Sequence, residues 1–348
     1  MSGDARTLAL PESLDDALAP TWLSAALGTR FPGIQVTAVE PGPVVARITT
    51  NARFRVTCAG ALPDGLPADL CIKGYFNEAG RMSRRAGLPE AFFYRDLAEP
   101  SGIRTLTPFY ADVDLPGEQA ILITQDVVAE GGRFLDGTSD YTVEQTAASL
   151  TELATLHAST WQNARWAEAP WLESRLAQTL EARGVPVIQD NLTNANAVGV
   201  PDHLRDAQRL VDSYAKLSAD VAADPRWCVI HGDPHVGNVY IAGDGRPSFL
   251  DWQVVQRGSW FIDVGYHIGS ALTVEDRRAN ERDLLRHYLS ELAARGVEAP
   301  SFDEAWLAFR RGMVHGFFFW AITIYVAPPI IAALLHRLGT AVADHDAL

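Results

Sequence analysis

The stretch HGDPHVGN, residues 231–238, together with PSFLDW, residues 247–252, carries the reading of this chain. The first piece lies between two apolar runs, Trp227 to Ile230 and Val239 to Ile241. Asp, Asn and Gly in a loop can be plain turn chemistry, because Asx side chains bond their own backbone and Gly accepts left-handed φ. A turn does not account for the second carboxylate, Asp251, which closes the next apolar run thirteen residues after Asn238. Two strand-like pieces between these residues form a hairpin, and a hairpin returns Asp251 to the end at which Asn238 starts.

That arrangement fits phosphoryl transfer from ATP. An acceptor hydroxyl needs a group to take its proton, and Mg²⁺ needs hard oxygen ligands near the triphosphate. Asp233 is the candidate catalytic carboxylate. Asn238 and Asp251 are the candidate metal ligands, one an amide oxygen and the other the principal carboxylate.

Bulk properties agree with an enzyme of two lobes. At 348 residues the chain has the length of about two domains. Hydrophobic residues make up 47% and charged residues 21%, the ordinary range for a globular protein. Lys and Arg number 29 against 43 Asp and Glu, a net charge of −14 that disfavours a nucleic-acid partner and suits a cationic small molecule. The cysteines, Cys58, Cys71 and Cys228, are scattered without CxxC spacing, so neither a disulfide framework nor a zinc site is expected. The first twenty residues lack an apolar core behind a basic start, so the expected location is the cytoplasm. Met313 to Leu335 is almost uncharged, yet Pro328-Pro329 interrupts it, and a buried helix pair is expected there instead of a membrane span.

The order of elements changes along the chain. TWLSAALGTRF reads as a short helix with Thr21 as its N-cap. From Ile34 to Phe76 the pattern is of strands punctuated by PGP and LPDGLP. A helix is expected from Pro89 to Glu99, then two strands, TPFYADVD and EQAILITQD, and a connector near residues 125–132. Beyond it the signals are helical apart from the pieces around the opening motif. The expectation is an α+β chain: residues 1–125 as a sheet-rich nucleotide-binding lobe, and residues 126–348 as a mainly helical lobe for catalysis and acceptor binding.

HGD-x₄-N followed by LDW resembles the aminoglycoside phosphotransferase and choline kinase group of protein-kinase-like folds. The wording HGDPHVGNVY…FLDWQVVQRGSWFIDVGY is most similar to its ecdysteroid-kinase-like branch. The resemblance is specific over Val229–Tyr266 and weaker from Trp22 to the C-terminus. It implies a bilobal fold with an antiparallel-sheet N-lobe. It further implies that His231 braces the catalytic loop and that Asp263 holds the loop backbone from the following helix.

A kinase also needs a strand lysine on the α- and β-phosphates, held by a helix glutamate. LCIK ends in Lys73, and Cys71 shares its strand face as the candidate roof over adenine, while Leu70 and Ile72 face the other way. Glu78 is too close in sequence to return to Lys73. Glu90 opens a helix whose Phe93, Tyr94 and Leu97 follow at helical spacing, and it is the expected partner. The first strand-to-strand loop, ARITTNAR, lacks GxGxxG, so phosphate contacts there fall to backbone N–H groups and to Thr49 and Thr50. DWQ stands where protein kinases have DFG. By the resemblance, Gln125 to Val128 offers backbone groups to the adenine edge, Gln125 and Val127 among them.

The expected activity is therefore ATP- and Mg²⁺-dependent phosphorylation of a small-molecule hydroxyl. The expected acceptor is a largely apolar alcohol, steroid-like, lipid or polyketide, because VHGFFFWAITIYVAPP is placed to wall its site and cannot bury every ring of Phe317 to Trp320 on one helix stripe. The alternatives are an aminoglycoside-type antibiotic phosphotransferase and, from another class, a non-catalytic pseudokinase that only binds ligand. His235 reads as a hydrogen-bonded loop histidine, with a place in the acceptor-site lining as the alternative. Oligomeric state is not legible.

Overall fold

The computed structural model describes residues 8–348. The chain divides into two compact units, Met1–Glu99 with Thr105–Gly132, and Pro100–Arg104 with Arg133–Leu348.

The first unit is built on a five-stranded antiparallel sheet. Its strands are β1 (Val36–Ala46), β2 (Thr50–Cys58), β3 (Asp69–Gly74), β4 (Pro108–Asp114) and β5 (Gln119–Gln125), in the order β1-β2-β3-β5-β4. Alternation places Leu70 and Ile72 of β3 in a core with Leu23, Leu27, Phe54, Phe109, Ile121 and Ile123. Cys71 and Lys73 take the opposite face. Interior strand β5 is buried at every residue because apolar groups cover both faces, with Ala91 meeting Ala120 on the second.

Two helices of this unit differ from expectation. The first runs Pro20–Gly28 with Ala19 as N-cap, so Thr21 lies inside it. Proline at the first helical position sets φ and needs no N–H partner there, which moves the start one residue earlier. The second is helical from Leu88 to Ser101, but Phe93–Leu97 forms a π turn between α-helical pieces. Such a widened turn is common near functional sites, and this one begins at Phe93, within one turn of Glu90.

The second unit is mainly helical. Its long helices are Val143–Thr160, Ala207–Ala223, Trp260–Ala271, Val274–Ala294, Phe302–Ala321 and Pro328–Asp344. Thr142 caps the first with a reciprocal capping box to Gln145. All residues of Trp260–Ala271 are buried, making it the central helix. It meets Phe302–Ala321 at backbone distance: a Cβ on Gly312 would stand 1.9 Å from the Phe261 carbonyl oxygen. The apolar C-terminal stretch is two helices broken at 322–327, and among the described residues no helix is long and apolar enough to cross a membrane.

Two small sheets carry the loops of interest. β6 (Arg133–Phe134), β8 (Val239–Ile241) and β9 (Pro247–Phe249) form one. β7 (Cys228–Ile230) pairs with β10 (Gln256–Gly258) in the other, so the strand before HGD is not part of the hairpin after it.

Candidate active site

In the second unit, residues 231–238 bridge β7 and β8. Gly232 has φ of 83°, and a Cβ there would lie 2.6 Å from the Val254 carbonyl oxygen, so only glycine fits between His and Asp. The loop backbone is anchored by Asp263, whose side chain is fully buried. Its Oδ2 accepts from the His231 N–H at 2.7 Å and its Oδ1 from the Gly232 N–H at 2.9 Å. His157 Nε2 donates to Oδ2 at 3.2 Å. Burial pushes the Asp263 carboxyl upward, but the His157 contact and the backbone donors win and hold it below the usual carboxylate range.

His231 braces the loop through both ring nitrogens. Its Nδ1 accepts from the Asp233 N–H at 3.2 Å, so the ring proton sits on Nε2 and is given to the Leu250 carbonyl at 3.0 Å. Burial lowers its pKa and keeps this neutral tautomer.

Asp233 is gripped at both oxygens. Tyr266 donates to Oδ1 at 2.7 Å and Asn238 Nδ2 to Oδ2 at 3.0 Å. Its side chain retains 17% exposure, which leaves a face open to a reactant. Burial pushes its carboxyl up to about 8, with Asp251 and Asp263 adding to the rise and the two donors opposing it. His235 spends Nδ1 on the Gly237 N–H and brings Nε2 to 3.7 Å from Asp233 Oδ2. Burial pushes its pKa down to about 3, so it is neutral.

The hairpin returns Asp251 beside Asn238. Val239 pairs with Phe249, and the Leu250 N–H reaches the Asn238 carbonyl at 3.0 Å. Asp251 has φ of 63°, the left-handed region that Asp tolerates better than most residues and that marks strain held by its surroundings. Because Asn238 Nδ2 is committed to Asp233, its Oδ1 is the atom left to offer. An amide oxygen and a carboxylate at one hairpin end suit a hard cation such as Mg²⁺, which keeps waters and phosphate oxygens for its other positions. Among the described residues no group of three or more His, Cys, Asp or Glu could hold a metal by itself.

In the first unit Lys73 Nζ lies 2.6 Å from Glu90 Oε2, both side chains largely buried. Cys71, on the same strand face, is a protonated thiol pushed up to about 12 by burial. Thr49 closes the β1–β2 turn with its carbonyl on Arg47 N–H, whereas Thr50 is only 3% exposed at the start of β2. Gln125 spends its side-chain carbonyl on the Thr107 N–H. The Val127 carbonyl accepts from the Gly132 N–H at 2.8 Å.

Sequence reasoning missed Tyr266 and the hydrogen bond that Trp320 makes to it. A signal existed for the first: Tyr266 follows Asp263 by one helical turn, so it lies on the face already expected to meet the loop. Trp320 lies in the Phe317 to Trp320 run expected to wall the acceptor site, but its bond to Tyr266 carried no signal, since it arises from packing of two helices distant in sequence.

Residues 93–297 match the ecdysteroid kinase-like family. No curated protein matches the chain. In fold it is similar to the choline kinase LicA from Streptococcus pneumoniae, at 13% identity and a TM-score of 0.51 over 93% of this chain and 98% of that one. An ethanolamine kinase from Plasmodium vivax is similar at 11% identity and a TM-score of 0.52, over 88% and 81% of the two chains. The GDP complex of aminoglycoside 2'-phosphotransferase-IIIa follows at 12% identity and a TM-score of 0.50, over 94% and 99%. These likenesses are of fold, and the fold is protein-kinase-like, with an antiparallel-sheet lobe and a helical lobe.

Proposed function

Because the chain belongs to the ecdysteroid kinase-like family, we propose that it is an ATP- and Mg²⁺-dependent kinase acting on the hydroxyl of a small, largely apolar alcohol. One observation carries this reading: Asp233 is held by Asn238 in the same loop, and Asp251 returns beside Asn238 across the hairpin. Residues 1–125 would bind nucleotide, with Lys73 and Glu90 on the phosphates, Thr49 and Thr50 near them, and Cys71, Gln125 and Val127 around adenine. Residues 126–348 would bind the acceptor and hold the catalytic loop.

In the reaction the acceptor oxygen forms a bond to the γ-phosphorus as the bond to the ADP oxygen breaks. Asp233 orients that hydroxyl and receives its proton, while His231 keeps the loop in place. Mg²⁺, held by Asn238 and Asp251, would neutralise charge on the phosphate oxygens. Since a carboxylate is the stronger hard-cation ligand, Asp251→Ala should abolish the magnesium dependence of ATP affinity, and Asn238→Ala should weaken it less. Titration of ATP with and without Mg²⁺ checks this; equal affinity for Mg·ATP in Asp251→Ala and wild type would remove the metal assignment.

The acceptor class rests on what surrounds Asp233. Tyr266 hydrogen-bonds it, Trp320 hydrogen-bonds Tyr266, Phe319 lies 6.4 Å from Tyr266 between ring centroids, and Ile324, Tyr325 and Val326 are exposed in the segment that follows the Phe302–Ala321 helix. Phe317 and Phe318 are core residues, Phe318 stacked 3.9 Å from Tyr214. The net charge of −14 favours the second reading, an aminoglycoside acceptor. A panel of sterols, hydroxy acids and aminoglycosides scored by kcat/KM decides between them, with sterols expected to lead; preference for a polycationic aminoglycoside would overturn the apolar assignment. A protein that binds Mg·ATP yet turns over no acceptor would be a pseudokinase instead. The proposed location of this reaction is the cytoplasm.

A further inference from the structure

Tyr266 sits in the fully buried central helix, and its hydroxyl has two partners. It donates to Asp233 Oδ1 at 2.7 Å and stands 2.6 Å from Trp320 Nε1. An indole N–H can only donate, and a phenol carries a single proton. The direction of the chain is therefore fixed, from Trp320 to Tyr266 to Asp233. With Asn238 on Oδ2, each carboxylate oxygen has its own donor, and the Asp233 side chain cannot rotate without losing one.

The place of the Tyr266 ring is set by glycine. A Cβ on Gly316 would lie 2.5 Å from Tyr266 Cδ2, so any side chain there would displace the ring. Glycine inside a helix costs roughly 0.5–1 kcal/mol relative to alanine. Here it lets the Phe302–Ala321 helix carry Trp320 within reach of the Tyr266 hydroxyl, one turn beyond Gly316.

We infer that Tyr266, fixed by Trp320 and seated against Gly316, is the positioning residue that sets the orientation of Asp233 for phosphoryl transfer. The inference rests on the kinase reading above. Asp233 is a short side chain with one donor on each oxygen, so those donors decide where its free lone pairs point. Polarised by Trp320, the Tyr266 O–H is a stronger donor to the carboxylate than an isolated phenol.

Tyr266→Phe and Trp320→Phe each remove one donor and keep an aromatic ring. ADP release from ATP and Mg²⁺ is measured with the preferred alcohol of the panel and with water alone. Tyr266→Phe should lower kcat about ten- to a hundredfold, up to the cost of a ~1 Å misplacement, with KM for ATP unchanged. Trp320→Phe should lower kcat less. The double variant should be no slower than Tyr266→Phe alone, because Trp320 acts through Tyr266.

A purely structural role gives a different result: lowered melting temperatures, additive losses and a kcat near wild type in whatever protein remains folded. Wild-type kcat in Tyr266→Phe, or full additivity in the double variant, overturns the inference while leaving the kinase reading intact. If Tyr266→Phe does not fold, Trp320→Phe alone decides, lowered kcat at constant KM supporting the inference and unchanged kcat refuting it. A wild-type protein that releases no ADP with any acceptor, water included, overturns the kinase reading and this inference with it.

Discussion

Asp233→Asn is expected to abolish phosphoryl transfer while leaving ATP binding nearly intact. The substitution keeps the size of the side chain and an acceptor for Tyr266, but it removes the group proposed to take the hydroxyl proton. A positioned general base contributes roughly a hundred- to ten-thousandfold in rate. In a loose phosphoryl-transfer transition state much of that comes from orienting the hydroxyl, and an amide facing Asn238 Nδ2 loses that orientation too. Single-turnover ADP formation and ATP titration measure the two quantities separately. Retention of more than about a tenth of wild-type kcat, well short of that range, would show that Asp233 is not the catalytic carboxylate.

Asp263→Ala is expected to be the most destabilising change near the site. It strips the acceptor from two buried backbone N–H groups, those of His231 and Gly232, and from His157 Nε2. Each orphaned buried donor costs about 1–3 kcal/mol, so a loss on the order of 3–5 kcal/mol is expected, large against the ~5–15 kcal/mol stability of most proteins. The corresponding fall in melting temperature is roughly 10 °C. A fall below about 2 °C, far less than that cost implies, would mean that these hydrogen bonds are replaced or unimportant.

Acid titration adds a signature. The Asp263 carboxyl is held below its ordinary range in the folded protein. Its contribution is therefore complete above the unfolded-state carboxylate pKa and is lost as pH falls through the lower folded value. Wild-type stability should decline across that acid window more steeply than that of Asp263→Ala, as read from melting temperature against pH.

Some of this was written in local sequence. The period-two alternation of ADLCIK places Cys71 and Lys73 together and Leu70 and Ile72 on the core side, and the strand obeys it. The His-Gly-Asp loop with Asn238 and Asp251 is likewise local, since a hairpin with fixed register must return its second strand beside the first. Glu90 was within reach of reasoning because it is the acidic residue in the first turn of the helix that starts at Leu88, while Glu78, in the short helix just after β3, is too near Lys73 in sequence. Thr21 misled because two capping signals competed, and the rigid φ of Pro20 prevailed over a hydroxyl one position later.

Other features depend on which distant segments meet. β7 takes its partner from residues 256–258, beyond the hairpin that its neighbours suggested. The C-terminal apolar run looked the same whether it spanned lipid or lined a core; the break at 322–327 and the packing of Gly312 on Phe261 made it two buried helices. Nor could composition select among FFFW, where Phe317 and Phe318 enter the core and Trp320 turns its N–H to Tyr266. Periodicity reports the face a residue lies on, and spacing reports what one element can bring together. Which donor ends up against Asp233 is decided by helices crossing fifty residues apart, through glycines whose missing side chains matter only once the two backbones touch.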